Sequence, residues 1–470
     1  MTGKKSEIKT GGLRQLPIAW ALPVLFFAGL WLFGSTGVYN DSNQYIAMHI
    51  HREPLYPFFL WICRSLFGEG EAGTSITPYL EAARFLQNVL AAFSVLWLAQ
   101  ALRSRFCLGQ WMNLAVCLLL LAPHVITPVF ASSRLVLSNG IVSEALGLPL
   151  FYLFTAQCLK MLADRTRRAA WSSLLLALFL SLVRGQMMFA ILLWFVTASA
   201  LIIGKVASGE ATDRPSGSLS GRPWRILRQT GARLLACLLC VALAFGARGL
   251  LVRSYNLAFN GFFINNTFGG VGLLANVLYA ADREDGERIQ DETAREFFYL
   301  SYDMAWEQGA NWRFSPEGFL NRAAHLEKWH DALKFDFIEE PWRLVHDGQG
   351  FTEYIPENVE SDRIAGRITG ALLPAVFGRW LYDYLALSAC GLIRSVAVVH
   401  PVLNWYALAA YLGYIALLFY TRRKNPASLA VRFGAFSLLA VAANVYATSL
   451  LIMCLSRYMI YGLPLFYVGG

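Results

Sequence analysis

Six charged residues stand where a long apolar run meets a loop: Asp41, Arg52, Arg134, Glu144, Arg184 and Arg457. Charge at the edge of an apolar phase is costly to keep, so each asks for a reason. A carboxylate there can take a proton from an attacking hydroxyl or amine, as a general base does. A guanidinium offers a planar fork that matches two oxygens of a phosphate. Singly, each has a plainer use: Asp41 can cap a short helix, Glu144 can complement the dipole of the helix it opens, and an arginine can reach out to lipid headgroups. Convergence on one face favours a site, with Asp41 as the base. Arg184 and Arg457 each break or close a strongly apolar run and, with Arg52, are candidates to hold a phosphate. Glu144 is a second carboxylate that would position an acceptor or a metal, and Tyr45 is a candidate for the acceptor site with it.

The densest stretch follows the first apolar run, from Tyr39-Asn40-Asp41-Ser42-Asn43-Gln44-Tyr45 to His51-Arg52-Glu53-Pro54-Leu55-Tyr56-Pro57. It predicts a short surface helix at 42–49. Two prolines, which a helix interior excludes, then make a kinked turn that opens a second surface helix at 58–66. His49 and His51 point to different sides at that spacing and have no further ligands in the sequence, so no zinc site is expected.

These residues need a scaffold, and composition indicates which kind. The 470 residues are 56% hydrophobic and 14% aromatic, with a mean hydropathy of +0.45, too apolar for an ordinary soluble protein. The apolar runs are continuous rather than alternating, so they are membrane-spanning helices and not barrel strands. The eight cysteines lack metal-ligand spacing and read as small core residues. The net charge of +9 does not indicate nucleic acid, because its basic excess sits in short loops on one side.

With the basic N-terminus placed in the cytoplasm, every loop obeys the positive-inside rule. Spans are expected at 16–33 (an uncleaved anchor), 79–102, 111–130, 141–162, 171–183, 187–203, 234–251, 403–420 and 433–455, and 460–470 begins another. The short pair around Arg184 also fits a re-entrant hairpin. This organisation gives an N-terminal transmembrane module at 1–252, containing the first outer loop (35–78) and a Ser/Gly/Pro-rich cytoplasmic linker (205–233). An extracytoplasmic domain at 253–399 and a C-terminal transmembrane module at 400–470 follow. The inserted domain holds about two-thirds of the acidic residues. Its tryptophans Trp306, Trp312, Trp329 and Trp342 are spread among polar residues, and its last part, 372–399, is amphipathic enough to lie on a membrane. No internal repeat supports a transporter made of duplicated halves.

Asp41 after the first span, Tyr45, Arg52-x-Pro54-x-Tyr56-Pro57, Ser143-Glu144 opening a span, Arg184 at the outer end of a middle span, and Arg457-Tyr458 followed by Pro464 form a combined pattern. It resembles the GT-C fold glycosyltransferases that use polyprenyl-phosphate sugars, of the aminoarabinose transferase and protein O-mannosyltransferase type. The resemblance covers about residues 12–203 and 403–470. It implies an all-α polytopic GT-C-like bundle of about ten or more transmembrane helices, with surface helices in the first outer loop. It also implies sugar transfer from a polyprenyl-phosphate donor to a glycan, lipid or protein acceptor, with inversion, at the extracytoplasmic face of a bacterial inner membrane. By this resemblance Asp41 corresponds to the catalytic carboxylate and Arg457 to the arginine of the late Arg-Tyr motif; Ser42 stands where many relatives carry a second acid, so a divalent metal is not favoured and no other cofactor is expected. The rival readings are an oligosaccharide polymerase or ligase with a lipid-pyrophosphate donor, and a flippase for lipid-linked glycan.

Overall fold

The computed structural model describes residues 17–70, 77–130, 134–207, 222–345, 355–397 and 403–470. Among them the chain is helical without a strand. The single backbone bridge pairs Gly37 with Gly140. The elements are α1 (Pro17–Phe33), α2 (Ser42–Ile46), α3 (Leu55–Phe67), α4 (Pro78–Phe106), α5 (Gln110–Phe130), α6 (Glu144–Asp164), α7 (Arg167–Val183), α8 (Phe189–Ala207) and α9 (Arg222–Asn260). They continue with α10 (Gly269–Ala280), α11 (Glu292–Glu307), α12 (Phe319–Lys334), α13 (Glu340–Val345), α14 (Ile355–Ala397), α15 (Leu403–Lys424), α16 (Leu429–Ser449), α17 (Ser456–Met459) and α18 (Gly462–Gly469).

Among the described residues six helices are long and apolar enough to cross a membrane: Pro78–Phe106, Gln110–Val129, Glu144–Asp164, Gly185–Gly204, Arg228–Asn260 and Leu429–Ser449. Apolar side chains such as Leu235, Leu238, Leu239 and Leu243 stay exposed along α9, as lipid-facing positions do. The chain is an all-α polytopic membrane protein. The expected spans at 16–33, 171–183 and 403–420 correspond to the helices α1, α7 and α15, which fall outside these six.

Two large cores form. The bundle core packs Phe27, Val95, Leu98, Leu120, Phe151, Phe154 and Tyr461. The other packs Tyr279, Phe297, Phe298, Leu326, Trp342 and Ile368, contributed by α10 to α14. A small third core, with Tyr45, Tyr56, Leu60, Ile141, Leu146 and Val183, lies directly under the charged loop and fixes its shape.

Several expectations change here. Helix α2 stops at Ile46 rather than residue 49, because Met48 takes a left-handed φ of 54°. Helix α3 starts three residues earlier than expected, with Pro54 at its cap and Pro57 in its first turn, where a missing N–H costs nothing. Of the expected linker, residues 208–221 lie outside the described residues, and 222–233 are the opening turns of α9. Of the 372–399 stretch, residues 398 and 399 lie outside the described residues and 372–397 belong to the 43-residue α14, where Leu372, Val376 and Leu387 are buried in the second core while Phe377 and Leu385 stay exposed. Of the four tryptophans, Trp342 is 1% exposed and belongs to that core, whereas Trp306 remains accessible.

Candidate active site

The loop after α1 is anchored to the loop before α6. Gly37 donates to Asn139 O (3.0 Å), Ile141 donates back to Gly37 O (2.9 Å), and the Ser42 hydroxyl donates to Ile141 O (2.7 Å). Two buried amides in the apolar α4 complete the anchor: Gln87 donates to Ser138 O and Gly140 O, and Asn88 donates to Asn139 Oδ1 (2.9 Å). A side chain at Gly140 would sit 3.0 Å from the Tyr39 ring, so the two loops approach closely only because this residue has none.

On this base the charged residues assemble. Asp41 occupies the cap position of α2, but its side chain makes no capping bond. Instead Arg52 Nη2 donates to its Oδ1 at 2.7 Å, and Arg457 Nη2, from a residue 416 positions away, donates to its Oδ2 at 3.3 Å. Arg52 is oriented by Gln44 Oε1 (2.8 Å) and stacks over the Tyr45 ring at 4.8 Å.

From Arg52 a bonded chain leads inward. The Tyr45 hydroxyl accepts from Arg52 Nη1 (3.4 Å) and donates to Ser143 Oγ (3.1 Å). Ser143 donates to Glu144 Oε2 (3.2 Å) and accepts from Arg184 Nη1 (3.2 Å), while Arg184 and Glu144 form an ion pair of 2.7 Å. The Tyr458 ring gathers the two remaining guanidiniums, Arg184 at 4.2 Å and Arg457 at 4.7 Å. Gln186 orients Arg184 Nε (2.9 Å) and reaches Asn444 (3.4 Å), which in turn holds the Tyr458 carbonyl (3.0 Å).

Asp41, Arg52, Tyr45, Glu144, Arg184 and Arg457 are therefore brought into one network, and the convergence expected from the sequence is observed. Arg134 is not part of it. It is exposed, with a left-handed φ of 48° and no ion pair among the described residues.

The members differ in how fully they are satisfied. Burial by itself would raise the Asp41 carboxyl, but Arg52 and then Arg457 more than offset it and hold the group below its usual 3.8. Arg184 is committed to Glu144. Arg457 is not fully committed: its bond to Asp41 is long, and its buried Nε has no partner. Among these guanidiniums, Arg457 has the donor to spare.

Sequence reasoning missed a third carboxylate at this site. Glu53 lies 3.6 Å from Arg248 Nη2, and a Cβ added to Gly185 would sit 2.5 Å from Glu53 Oε1. Gly185 thus makes room for the carboxylate beside Arg184. The signal was present, since Arg248 interrupts the apolar run of α9 and needs an anion. The same argument applies to Asn444, a buried amide in α16. Among the described residues no group of three or more His, Cys, Asp and Glu side chains is placed to hold a metal ion.

No family model matches the chain, and no curated protein does. A search of solved structures returns the crystal structure of ArnT from Cupriavidus metallidurans bound to undecaprenyl phosphate. It is 14% identical with a TM-score of 0.29, over 96% of this chain and 77% of that one. A superposition of that quality does not establish a common fold, so a functional reading has to stand on the residues.

Proposed function

We propose that the chain is a membrane glycosyltransferase of GT-C type, which moves a sugar from a polyprenyl-phosphate donor to an acceptor at the extracytoplasmic face. The observation that carries this reading is the pairing of Asp41 with Arg457, a half-buried carboxylate and an incompletely satisfied guanidinium from opposite ends of the chain. Either charge alone is commonplace at a membrane edge. Together they supply a base and a phosphate anchor within 3.3 Å.

In the resting arrangement two guanidiniums make Asp41 a weak base. Arrival of the donor phosphate changes this. Its oxygens take Arg457 Nε and Nη2, the long bond to Asp41 Oδ2 is given up, and the carboxyl becomes more basic as it loses a cation. The acceptor hydroxyl then attacks the anomeric carbon and its proton passes to Asp41 Oδ2. The carbon–oxygen bond to phosphate breaks, and polyprenyl phosphate leaves with the electron pair. Attack opposite the leaving group inverts the anomeric configuration. Arg52 keeps Asp41 oriented through Oδ1, and Arg184, pinned by Glu144, steadies the Tyr458 ring against which Arg457 lies. Each step is assigned to a side chain, and none is routed through a metal.

The decisive assay incubates purified protein with mixed polyprenyl-phosphate sugars and measures release of lipid phosphate. Wild type should release it, whereas Asp41→Asn and Arg457→Ala should not. Equal release from all three refutes the assignment. Transfer that survives Asp41→Asn in a folded protein points to a ligase mechanism, and movement of lipid-linked glycan across vesicles without covalent transfer points to a flippase.

A further inference from the structure

Lys334 ends α12 and is 5% exposed. No carboxylate oxygen lies within ion-pair distance of its ammonium among the described residues. The ammonium faces aromatic rings instead, Phe268 at 4.0 Å and Phe335 at 5.1 Å. An amine buried this deeply without an anion is held at a cost that ordinary packing does not repay.

Its position gives the cost a purpose. Phe268 packs on the His51 ring at 4.9 Å, and the His51 Nδ1 and Thr267 Oγ1 lie 2.7 Å apart. His51 adjoins Arg52 in the chain, so the contacts run from Lys334 through Phe268 and His51 to the Arg52 side of Asp41. Arg457 holds the other carboxylate oxygen. Lys334, on the unit made by α10 to α14, is thus linked by these contacts to the loop that carries Arg52.

The backbone around Lys334 is also unusual. A π-helical turn, Phe335–Glu339, follows it directly, and such turns are rare and concentrate at functional sites. The turn buries Glu339 nearby. Asp362 Oδ1 accepts from the backbone of Phe268, Gly270 and Val271 at 2.7 to 3.2 Å. Asp362 is thereby occupied in holding the Phe268 loop against Lys334.

We propose that Lys334 is the anion anchor of an acceptor subsite, taking a phosphate or carboxylate carried by the acceptor on the side of Asp41 opposite the donor phosphate. This rests on the glycosyltransferase reading for the word acceptor. The anion subsite itself can be tested without it. Held by Lys334, an anionic acceptor presents its hydroxyl to Asp41 while Arg457 keeps the donor, so the two substrates do not compete for one cation.

Saturation-transfer difference NMR on methyl phosphate and, separately, acetate tests the subsite with ligands weak enough for that method. Wild type, Lys334→Met and Lys334→Arg are compared with and without saturating farnesyl phosphate, a short stand-in for the lipid donor. The expected result is a methyl signal in wild type that survives farnesyl phosphate, falls at least ten-fold in Lys334→Met and is retained in Lys334→Arg. Farnesyl phosphate binding by Lys334→Met shows that the variant is folded, and the stronger of the two probes identifies the anion. Equal signals in all three proteins overturn the subsite. Displacement by farnesyl phosphate, or loss of farnesyl phosphate binding in Lys334→Met, overturns it too, because Lys334 would then belong to the donor site. A persistent Lys334-dependent signal in a protein without transferase activity would leave the subsite standing and refute the glycosyltransferase reading instead.

Discussion

Replacing Glu144 by Gln tests whether the Arg184 pair is a framework element. The pair is 2.7 Å long, with side chains 3% and 15% exposed, so screening by water is slight. Removing one charge from a buried pair typically costs about 3–5 kcal/mol, because the other charge is left uncompensated. Arg184 keeps Ser143, Gln186 and the Tyr458 ring, which places the expected loss at about 2–3 kcal/mol, at or below the lower end of that range. The buried thiols of Cys63, Cys117, Cys158 and Cys454 report it directly, since they react with a fluorescent maleimide only when the bundle opens. In a background with the exposed Cys107 replaced by Ser, Glu144→Gln should speed labelling roughly 30- to 150-fold, at about 1.4 kcal/mol per factor of ten. Arg184→Gln should do at least as much. The double variant Glu144→Gln/Arg184→Gln, which leaves no orphan charge, should resemble either single variant, a coupling of about 2 kcal/mol. If the two single effects multiply in the double variant, the residues do not act as a pair and the reasoning fails.

Asp41→Asn should leave labelling of the buried thiols within a few-fold of wild type and lower transfer about 10²–10⁴-fold, the usual contribution of a positioned base. Arg457→Ala should weaken farnesyl phosphate binding by at least ten-fold in a direct binding titration. It also removes a cation that depresses Asp41, so the acid limb of any residual kcat/KM profile should move upward; a limb that stays put refutes the contact. Gly185→Ala drives a methyl group into Glu53 Oε1 and should destabilise by about 1–3 kcal/mol, with rescue by the shorter Glu53→Asp. If thermal unfolding shows no rescue, the close approach is not the cause. Burial pushes Lys334 down to about 8, against the attraction of Asp331 and Glu339 and the pull of Asp41, and with repulsion from Arg52. The anion anchor is therefore charged below that pH, and the KM for an anionic acceptor should climb as pH rises through about 8. Burial pushes Glu339 up to about 8 as well, so the profile is repeated in Glu339→Gln, where a limb owed to Lys334 persists.

The bundle and most of the site were legible in the sequence because membrane chemistry makes charge conspicuous. Asp41, Glu144, Arg184 and Arg457 interrupt apolar runs, and the positive-inside rule sorts them to one end. Helix ends were less legible. Met48 takes a left-handed backbone that its residue type does not signal, and Leu55–Pro57 joins α3 because prolines cost nothing in a first turn. The α14 stretch looked like a surface helix because its amphipathicity gives the width of the buried face and not its partner, which turned out to be the core of α10 to α13. Lys334 could not be found by pattern. It sits in a polar helix where a lysine is ordinary, and only its burial without an anion sets it apart.

The charge balance of the site bears on what it can hold. Asp41, Glu53 and Glu144 face Arg52, Arg184, Arg248 and Arg457, so guanidiniums exceed carboxylates by one before any substrate arrives. The excess falls on Arg457, the member with an unpartnered Nε. A phosphodiester donor carries one negative charge and would neutralise it. As the sugar leaves, the phosphate becomes a monoester, whose charge at neutral pH is about −1.5 to −2. The site therefore gains attraction for the phosphate as the bond breaks, which is where electrostatic stabilisation accelerates a reaction rather than merely tightening binding. The same gain would slow release of the product lipid. A cation removed from this balance should thus lower the rate of bond cleavage more than it lowers affinity for the intact donor, and Arg457→Ala measured in single-turnover and steady-state experiments would separate the two.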